Sequence, residues 1–153
     1  MNIISTQYTL ENKTLEIYIS GCYGNCYGCH NPELKNFNIG ENYIKQLDFI
    51  KQKICECDYL IDNIWILGGE PLDQNEKELI NLLKELKTTN KNIWLFTRYE
   101  LDNISDDVKN ISDYIKTGIY DELKLTNNNI QYNIKLASSN QNIYKKGKDY
   151  CIN

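Results

Sequence analysis

The order of the apolar segments constrains the fold of this chain more than any other feature of its sequence. Three short apolar or alternating stretches, at residues 15–20, 61–67 and 93–96, have the pattern of β-strands. Two segments with helical spacing separate them; their apolar residues are Ile44, Leu47, Ile50 and Ile54 in the first and Leu79, Ile80, Leu82, Leu83 and Leu86 in the second. This order predicts an α/β fold with a mostly parallel sheet, because parallel strands need crossover connections.

The rest of the chain extends this pattern. Asp73, with Glu76 three residues later, resembles a capping box at the start of the second helix. A short helix is expected over residues 104–111, and further strands are expected over residues 114–119 and 132–137. At 153 residues the chain is long enough for a single core, so we expect one domain over residues 1–153.

The first predicted strand leads directly into a loop with three cysteines. Residues 20–33 read SGCYGNCYGCHNPE and place Cys22, Cys26 and Cys29 with three and then two residues between them. Thiolates are soft ligands that suit zinc or iron–sulfur centres. Three of them can hold three irons of a cubane [4Fe–4S] cluster, and the fourth iron then lacks a protein ligand. The spacing therefore favours an iron–sulfur cluster.

The remaining three cysteines are interpreted as incidental thiols. Cys55 and Cys57 are two residues apart near a helix end, so their side chains point in different directions, and Cys151 is near the C-terminus. The alternative is a zinc site in which His30, Cys55 or Cys57 completes the three-cysteine loop. Cysteines concentrated in one loop, in a reducing compartment, favour metal ligation over disulfides.

A glycine-containing motif lies one strand and one helix further along the chain. Gly68-Gly69-Glu70-Pro71 follows the second predicted strand and precedes the second predicted helix. Its glycines allow a ligand to approach the backbone, and Glu70 can accept hydrogen bonds from an ammonium group. Parallel strands bring their carboxyl ends to one edge of a sheet, so this motif and the cysteine loop are expected to meet there, beside Thr97 and Ser138. The alternative is a plain strand-to-helix turn.

The cysteine loop and the GGEP motif together resemble the radical S-adenosylmethionine (SAM) superfamily. Within it, the SGC sequence at residue 20, Cys29-His30-Asn31, IWLFTRYEL at residues 93–101 and SSNQ at residues 138–141 are similar to the activating enzymes of anaerobic ribonucleoside-triphosphate reductases. The resemblance extends over residues 15–143. It implies an open, partial (β/α) barrel of the radical SAM type, because the chain is shorter than the roughly 250 residues of a complete barrel.

The resemblance also assigns roles to individual residues. It implies that Cys22, Cys26 and Cys29 are the cluster ligands and the centre of the catalytic site. The residues that it places around SAM are Gly28 and His30 beside Cys29, then Gly68, Gly69 and Glu70 around the methionyl amino group, and Thr97, Ser138, Ser139 and Asn140 at later strand ends. For Thr97 and residues 138–140, the alternative is that they only cap strands.

The activity is likewise an implication of the resemblance. It implies an oxidoreductase that binds a [4Fe–4S] cluster and SAM, cleaves SAM reductively, and generates a glycyl radical on the anaerobic reductase, with flavodoxin or ferredoxin as the kind of electron donor. One alternative is a small radical SAM enzyme that acts on another glycyl-radical enzyme or on a peptide. From a different class, the alternative is a zinc-binding structural or interaction module.

The charge and apolar patterns argue against two classes of partner. The net charge is −4, from 17 basic and 21 acidic residues, and no stripe of Lys and Arg stands out, so we expect no nucleic-acid partner. The apolar run Ile64–Leu67 is far shorter than the roughly 20 residues of a membrane span. Residues 1–5 lack the pattern of a secretory signal. We therefore expect a cytoplasmic protein with no membrane partner.

Overall fold

A seven-stranded sheet forms the centre of the computed structural model, which describes residues 1–152. The strands are β1 (Asn2–Thr9), β2 (Thr14–Ile19), β3 (Glu41–Asn42), β4 (Asn63–Gly68), β5 (Asn92–Phe96), β6 (Tyr114–Thr117), β7 (Ile130–Gln131), β8 (Ile134–Lys135) and β9 (Asn142–Lys145). The helices are α1 (Tyr43–Glu56), α2 (Glu76–Lys87) and α3 (Asp106–Ile111). Short 3-10 helices cover Pro32–Lys35, Asp58–Leu60, Pro71–Asp73, Leu101–Asn103 and Glu122–Lys124.

The centre of the sheet is parallel and its two sides are antiparallel. Its order is β3-β1-β2-β4-β5-β6-β9, and the adjacent strands β2, β4, β5 and β6 all run in the same direction. The helices α1, α2 and α3 precede β4, β5 and β6 in turn. The predicted α/β fold with a largely parallel sheet is therefore confirmed. The sheet is open, with β3 at one edge and β9 at the other.

One face of the sheet packs against the helices. In α1 the predicted residues Leu47, Ile50 and Ile54 are buried there, but Tyr43 takes the place of Ile44, which is 62% exposed. The corresponding buried residues of α2 are Leu79, Leu82, Leu83 and Leu86. Helix α1 begins at a cap in which Ile44 N donates to Asn42 Oδ1 at 3.0 Å. No helix among residues 1–152 is long and apolar enough to cross a membrane.

The start of α2 differs from the predicted capping box. Asn75, not Asp73, is the N-cap, and its Oδ1 accepts from Lys77 N at 3.1 Å and from Glu78 N at 3.3 Å. Asp73 ends the preceding 3-10 helix, and its carboxylate binds the side chain of Arg98. The carboxylate is engaged by this cationic side chain, so the next available cap, Asn75, begins the helix.

The opposite face of the sheet is aromatic. Trp65, Trp94, Leu136 and Ile143 form a second buried cluster, against which Phe96, Tyr114, Tyr132 and Ile134 pack. Of the strand predicted over residues 132–137, only Ile134–Lys135 is a strand, because Tyr132 and Asn133 have φ of 51° and 64° and form the turn between β7 and β8. A two-residue turn with positive φ is the favoured connection of a tight hairpin. This hairpin region covers the aromatic face.

Other element boundaries shift by a few residues, and the structure adds the strands β1, of eight residues, and β9, of four residues. The strand predicted over residues 114–119 ends at Thr117, because Gly118 has a φ of +90°. The helix expected from residue 104 begins at Asp106. The additional strands β1 and β9 pair antiparallel with β2 and β6. They extend the parallel centre on both sides.

Candidate metal centre

A cavity of about 330 Å³ lies at the edge of the sheet where β2, β4, β5 and β6 end. The cysteine loop, the GGEP turn and the ends of β5 and β6 all line it. Parallel strands place their carboxyl ends together, so loops that are distant in sequence meet there. The structure therefore brings together the two motifs that the sequence analysis expected to share one edge.

The three loop cysteines share this cavity. Cys22, Cys26 and Cys29 line it with free, half-buried thiols. Gly24 N donates to Cys22 Sγ at 3.2 Å, and Cys29 N donates to the Cys26 carbonyl at 3.3 Å. Burial raises the pKa of the Cys22 thiol above its ordinary value. Three soft sulfur donors around one cavity are a donor set that fits an iron–sulfur cluster.

The other cysteines lie elsewhere. Cys55 and Cys57 are at the C-terminal end of α1, where Leu60 N donates to the Cys57 carbonyl at 2.9 Å just before β4 begins. The cavity is at the opposite end of β4, so neither thiol can complete a zinc site with the loop. Cys151 is exposed. Within residues 1–152, no three His, Cys, Asp or Glu side chains are placed to hold a single metal ion.

The glycines of the GGEP turn bring two backbones into contact. A Cβ at Gly68, where φ is +109°, would lie 2.7 Å from the Ile19 carbonyl oxygen, and a Cβ at Gly69 would lie 2.5 Å from the Gly21 carbonyl oxygen. Glu70 N donates to this Gly21 oxygen at 2.8 Å. The sequence analysis singled out these glycines for ligand access. In the structure they also let the turn pack directly against the start of the cysteine loop.

Glu70 lines the cavity, but its carboxylate is already hydrogen-bonded within the protein. It is only 3% exposed. Its Oε1 accepts from Thr97 Oγ1 at 2.6 Å and from Leu72 N at 3.0 Å, and its Oε2 accepts from Arg98 N at 2.8 Å. Burial raises the pKa of this carboxyl group. The side chain thus joins the GGEP turn to the end of β5.

Gly28 and His30 lie on the side of the loop that faces residues 120–122. His30 lines the cavity, and its Nε2 is 3.2 Å from Tyr120 Oη. Gly28 has a φ of +71°, and a Cβ there would lie 2.9 Å from Glu122 Oε2. The loop after β6 therefore covers this side of the cysteine loop.

Residues 138–140, predicted at the end of a strand, lie between β8 and β9, next to residues that line the cavity. Ser138 is fully buried and Ser139 is exposed, whereas Asn140 Nδ2 donates to the Ile119 carbonyl at 2.8 Å. The cavity is lined by their neighbours, Ala137 and Gln141. The SSNQ signal thus located the segment, although different residues of it reach the cavity.

Lys116 is a lining residue that the sequence analysis missed. It is opposite Phe96 in the β5–β6 register and so shares the aromatic face of the sheet. Desolvation by burial lowers the pKa of Lys116 to about 8, and its Nζ donates to the Gly118 carbonyl at 2.9 Å. In the sequence, Lys116 is only a lysine at an alternate position of a short strand. Such a lysine is equally typical of a solvent-exposed face.

Arg98 is the second missed residue. Its Nη2 donates to both oxygens of Asp73, at 3.0 and 3.1 Å. Asp73 Oδ2 also accepts from Tyr23 N at 2.6 Å, and Asp73 Oδ1 accepts from the Tyr99 hydroxyl at 2.7 Å. This network ties the residue after Cys22 to the end of β5.

Comparisons with known proteins agree with this donor set. A family model described as "4Fe-4S single cluster domain" matches residues 13–144. The anaerobic ribonucleoside-triphosphate reductase-activating protein of Escherichia coli strain K12 is 29% identical over 93 residues, which are 58% of this chain and 60% of that protein. The protein of the same name from Vibrio cholerae is 27% identical over 103 residues, which are 65% of this chain and 66% of that protein.

The name of a third relative does not specify which glycyl-radical enzyme it activates. The putative glycyl-radical enzyme activating enzyme of Haemophilus influenzae is 28% identical over 90 residues, which are 58% of this chain and 34% of that protein. The chain thus spans about three fifths of the E. coli relative and about one third of this longer one.

Proposed function

Because the chain belongs to the 4Fe-4S single cluster domain family, we propose that Cys22, Cys26 and Cys29 hold one [4Fe–4S] cluster. The observation that carries the proposal is that these three free thiols line a single cavity together with the GGEP turn. Three protein ligands leave one iron of a cubane cluster open to another ligand. Residues 1–153 then form one radical SAM domain.

SAM is the ligand that suits the rest of the cavity. Lys116 would pair with the carboxylate of SAM, since it is a lining cation in a partly enclosed site. Backbone oxygens of Gly68 and Gly69 are the acceptors for the methionyl ammonium group, because the Glu70 side chain already accepts three hydrogen bonds and the Glu70 carbonyl accepts two. Gly28, Cys29, His30 and Thr97 flank the same space, and residues 138–140 close its mouth.

The cofactors carry the difficult chemistry, and the protein positions them. When bound, the cluster would supply the electron for reductive cleavage of SAM. The chain's own contribution is to hold the cysteine loop against the GGEP turn and to limit the access of water, through the packing of Gly69 on Gly21. The half-buried thiols and the aromatic face of the sheet support a role in limiting the access of water.

The function that these features support best is that of a radical SAM activase for anaerobic ribonucleoside-triphosphate reductase. The names of the E. coli and Vibrio relatives support this substrate. The chain would generate a glycyl radical on the reductase. A second candidate is activation of another glycyl-radical enzyme, which the Haemophilus relative favours.

A protein substrate requires access to the cavity. We propose that the open sheet curves as a partial (β/α) barrel, so that a polypeptide can enter beside the cysteine loop. Tyr23 and Tyr27 of this loop are 75% and 76% exposed and offer aromatic surface for such a contact. The electron donor is a small redox protein such as flavodoxin or ferredoxin. Free thiols that hold a cluster need a reducing compartment, so we place the reaction in the cytoplasm.

One anaerobic experiment tests the function. The protein is reconstituted with iron and sulfide, reduced with dithionite, and incubated with SAM and a purified anaerobic ribonucleotide reductase. The expected results are formation of 5′-deoxyadenosine and an EPR signal of a glycyl radical on the reductase. A second glycyl-radical enzyme in a parallel incubation separates the two candidates. Cluster assembly without SAM cleavage in either incubation would contradict the proposal.

A further inference from the structure

The side chain of Arg98 has one buried hydrogen-bond donor without a partner in the described part of the chain. Its Nη2 donates to Asp73 and to the Tyr99 hydroxyl, the latter at 2.8 Å. Its Nε is buried and has no hydrogen-bond partner in the part of the chain that the structure describes. Glu70 Oε2, at 3.9 Å from Nε, is beyond hydrogen-bonding distance. A buried N–H of a charged group without an acceptor costs free energy, so we expect an acceptor to bind this N–H when the site is complete.

The surroundings of Gly24 show that the Cys22 sulfur is an acceptor near Arg98 Nε. A Cβ at this position would lie 2.9 Å from Arg98 Nε and 3.1 Å from Cys22 Sγ. Because Gly24 has no side chain, a space remains that both Arg98 Nε and the Cys22 sulfur border. Gly24 N itself donates to Cys22 Sγ at 3.2 Å. This sulfur thus already accepts one hydrogen bond, and the unpartnered Arg98 Nε borders the same space.

The position of Arg98 is fixed by a buried carboxylate. The Asp73 side chain is only 2% exposed and accepts from Arg98 Nη2 and from Tyr23 N. Because Tyr23 directly follows Cys22, Asp73 holds Arg98 and the cysteine loop at the same point. The Arg98 guanidinium also lies over the Tyr99 ring, 4.2 Å from its centre. These contacts limit the ways in which Nε can turn away from the loop.

We infer that Arg98 is a positioning residue whose Nε–H donates a hydrogen bond to the Cys22 sulfur in the cluster-bound protein and raises the reduction potential of the cluster. The inference rests on the proposed function, because it requires the cluster. Reduction adds negative charge to the cluster and its thiolates. A hydrogen bond to a ligand sulfur stabilises this charge, so the reduced state gains more than the oxidised state.

Three variants of the full chain test the inference. Arg98→Lys keeps the positive charge but removes the Nε–H, so it separates the directed hydrogen bond from the charge. Gly24→Ala keeps Arg98 and its Asp73 contacts but places a methyl group between Nε and Cys22 Sγ. Tyr99→Phe is the matched control, because it removes a hydroxyl from the Asp73 network but keeps the Nε–H, the Asp73 contacts of Arg98 and the ring beside the guanidinium.

The measurement is the midpoint potential of the reconstituted cluster in an EPR-monitored redox titration. At the wild-type midpoint, we expect the ratio of reduced to oxidised cluster to fall about tenfold in Arg98→Lys and Gly24→Ala, which for one electron is a shift of 59 mV to a more negative potential. Tyr99→Phe is expected to stay at the wild-type value.

Two other outcomes have distinct meanings. Wild-type midpoints in Arg98→Lys and Gly24→Ala, with wild-type iron content, would overturn the inference and leave Arg98 as part of a structural ion pair. If Arg98→Lys assembles no cluster, Gly24→Ala alone decides, and a wild-type midpoint in that variant overturns the inference. Failure of the wild-type protein itself to assemble a [4Fe–4S] cluster contradicts the proposed function.

Discussion

Thr97 Oγ1 donates a 2.6 Å hydrogen bond to Glu70 Oε1, and both residues are only 3% exposed. This contact joins the turn after β4 to the end of β5 inside the cavity wall. Arg98 N adds a second link, at 2.8 Å to Glu70 Oε2. The carboxylate of Glu70 therefore links the GGEP turn to the end of β5 as a structural acceptor.

Glu70→Gln is expected to destabilise the protein and impair assembly of the cluster site. A glutamine amide has one acceptor oxygen, so its NH₂ group would face either Thr97 or the Arg98 backbone N–H, and a buried donor would lose its partner. The expected loss is about 1–3 kcal/mol in the free energy of unfolding of the cluster-free protein, measured by urea denaturation.

Glu100→Gln is the control for this change. Glu100 is exposed, so the same substitution should alter the free energy of unfolding by less than about 0.5 kcal/mol. Equal stability of the Glu70 and Glu100 variants would show that the Glu70 carboxylate has no structural role.

Gly69→Ala is expected to prevent normal cluster assembly. The added Cβ would lie 2.5 Å from the Gly21 carbonyl oxygen, which belongs to the backbone at the start of the cysteine loop. The measurement is iron and sulfide content after anaerobic reconstitution. Gly147→Ala is the control, because a Cβ there has no described atom within 4 Å although φ is +77°. It should cost about 1–2 kcal/mol through backbone strain and retain full iron.

Single replacement of each loop cysteine is expected to abolish the [4Fe–4S] centre. Cys22→Ala, Cys26→Ala and Cys29→Ala each remove one of three sulfur ligands in the cavity. Cys55→Ala, Cys57→Ala and Cys151→Ala should keep full iron content, because these thiols lie outside the cavity. Iron analysis and visible absorbance of the six variants provide the comparison, and full iron in Cys26→Ala would refute the ligand assignment.

Lys116→Met is expected to stabilise the cluster-free protein at neutral pH and to weaken SAM binding. Burial lowers the pKa of Lys116 from its ordinary value of 10.5 to about 8. At pH 7 the lysine is charged in both the folded and the unfolded state, so the folded state bears the full desolvation cost. Removal of the charge should raise the free energy of unfolding by about 1–3 kcal/mol.

The pH dependence provides an independent check. Between pH 8 and 10.5 the unfolded state binds more protons at Lys116 than the folded state does, so the stability of the wild-type protein should rise with pH in this window. The rise should be absent in Lys116→Met. Urea denaturation at several pH values measures it, and parallel curves for the two proteins would contradict the assignment. Tighter SAM binding by Lys116→Met would contradict the proposed pairing with the carboxylate.

The sequence predicted the centre of the fold because its elements are defined by local periodicity. The apolar faces of α1 and α2 and the short buried strands β4 and β5 need no knowledge of distant residues. The outer antiparallel strands β1 and β9 each have one side partly exposed, so their apolar pattern is weak. Residues 132–137 are predicted as one strand because Tyr132 is a good strand former, but Tyr132 lies in the hairpin turn, and its positive φ depends on the tertiary contacts of the aromatic face.

The candidate site was predictable where its residues are adjacent in sequence. The spacing of Cys22, Cys26 and Cys29 is visible directly in the loop, and the GGEP turn is equally local. Arg98 and Lys116 contribute through the register of β5 and β6, which brings them to the cavity from two different strand ends. A single sequence does not reveal which face of such a strand is enclosed, so these residues emerge only from the assembled sheet.

The aromatic face has a consequence for how the chain acquires its structure during synthesis. Trp65 and Trp94 are its only two tryptophans, and both are covered by segments that include residues 132, 136 and 143. All three helices precede residue 112, so the helical face can form on the ribosome while the tryptophans still contact water. Indole emission moves to shorter wavelengths when water leaves the ring. Intrinsic fluorescence should therefore report the arrival of the C-terminal segment as a late event, separate from the earlier collapse of the helices.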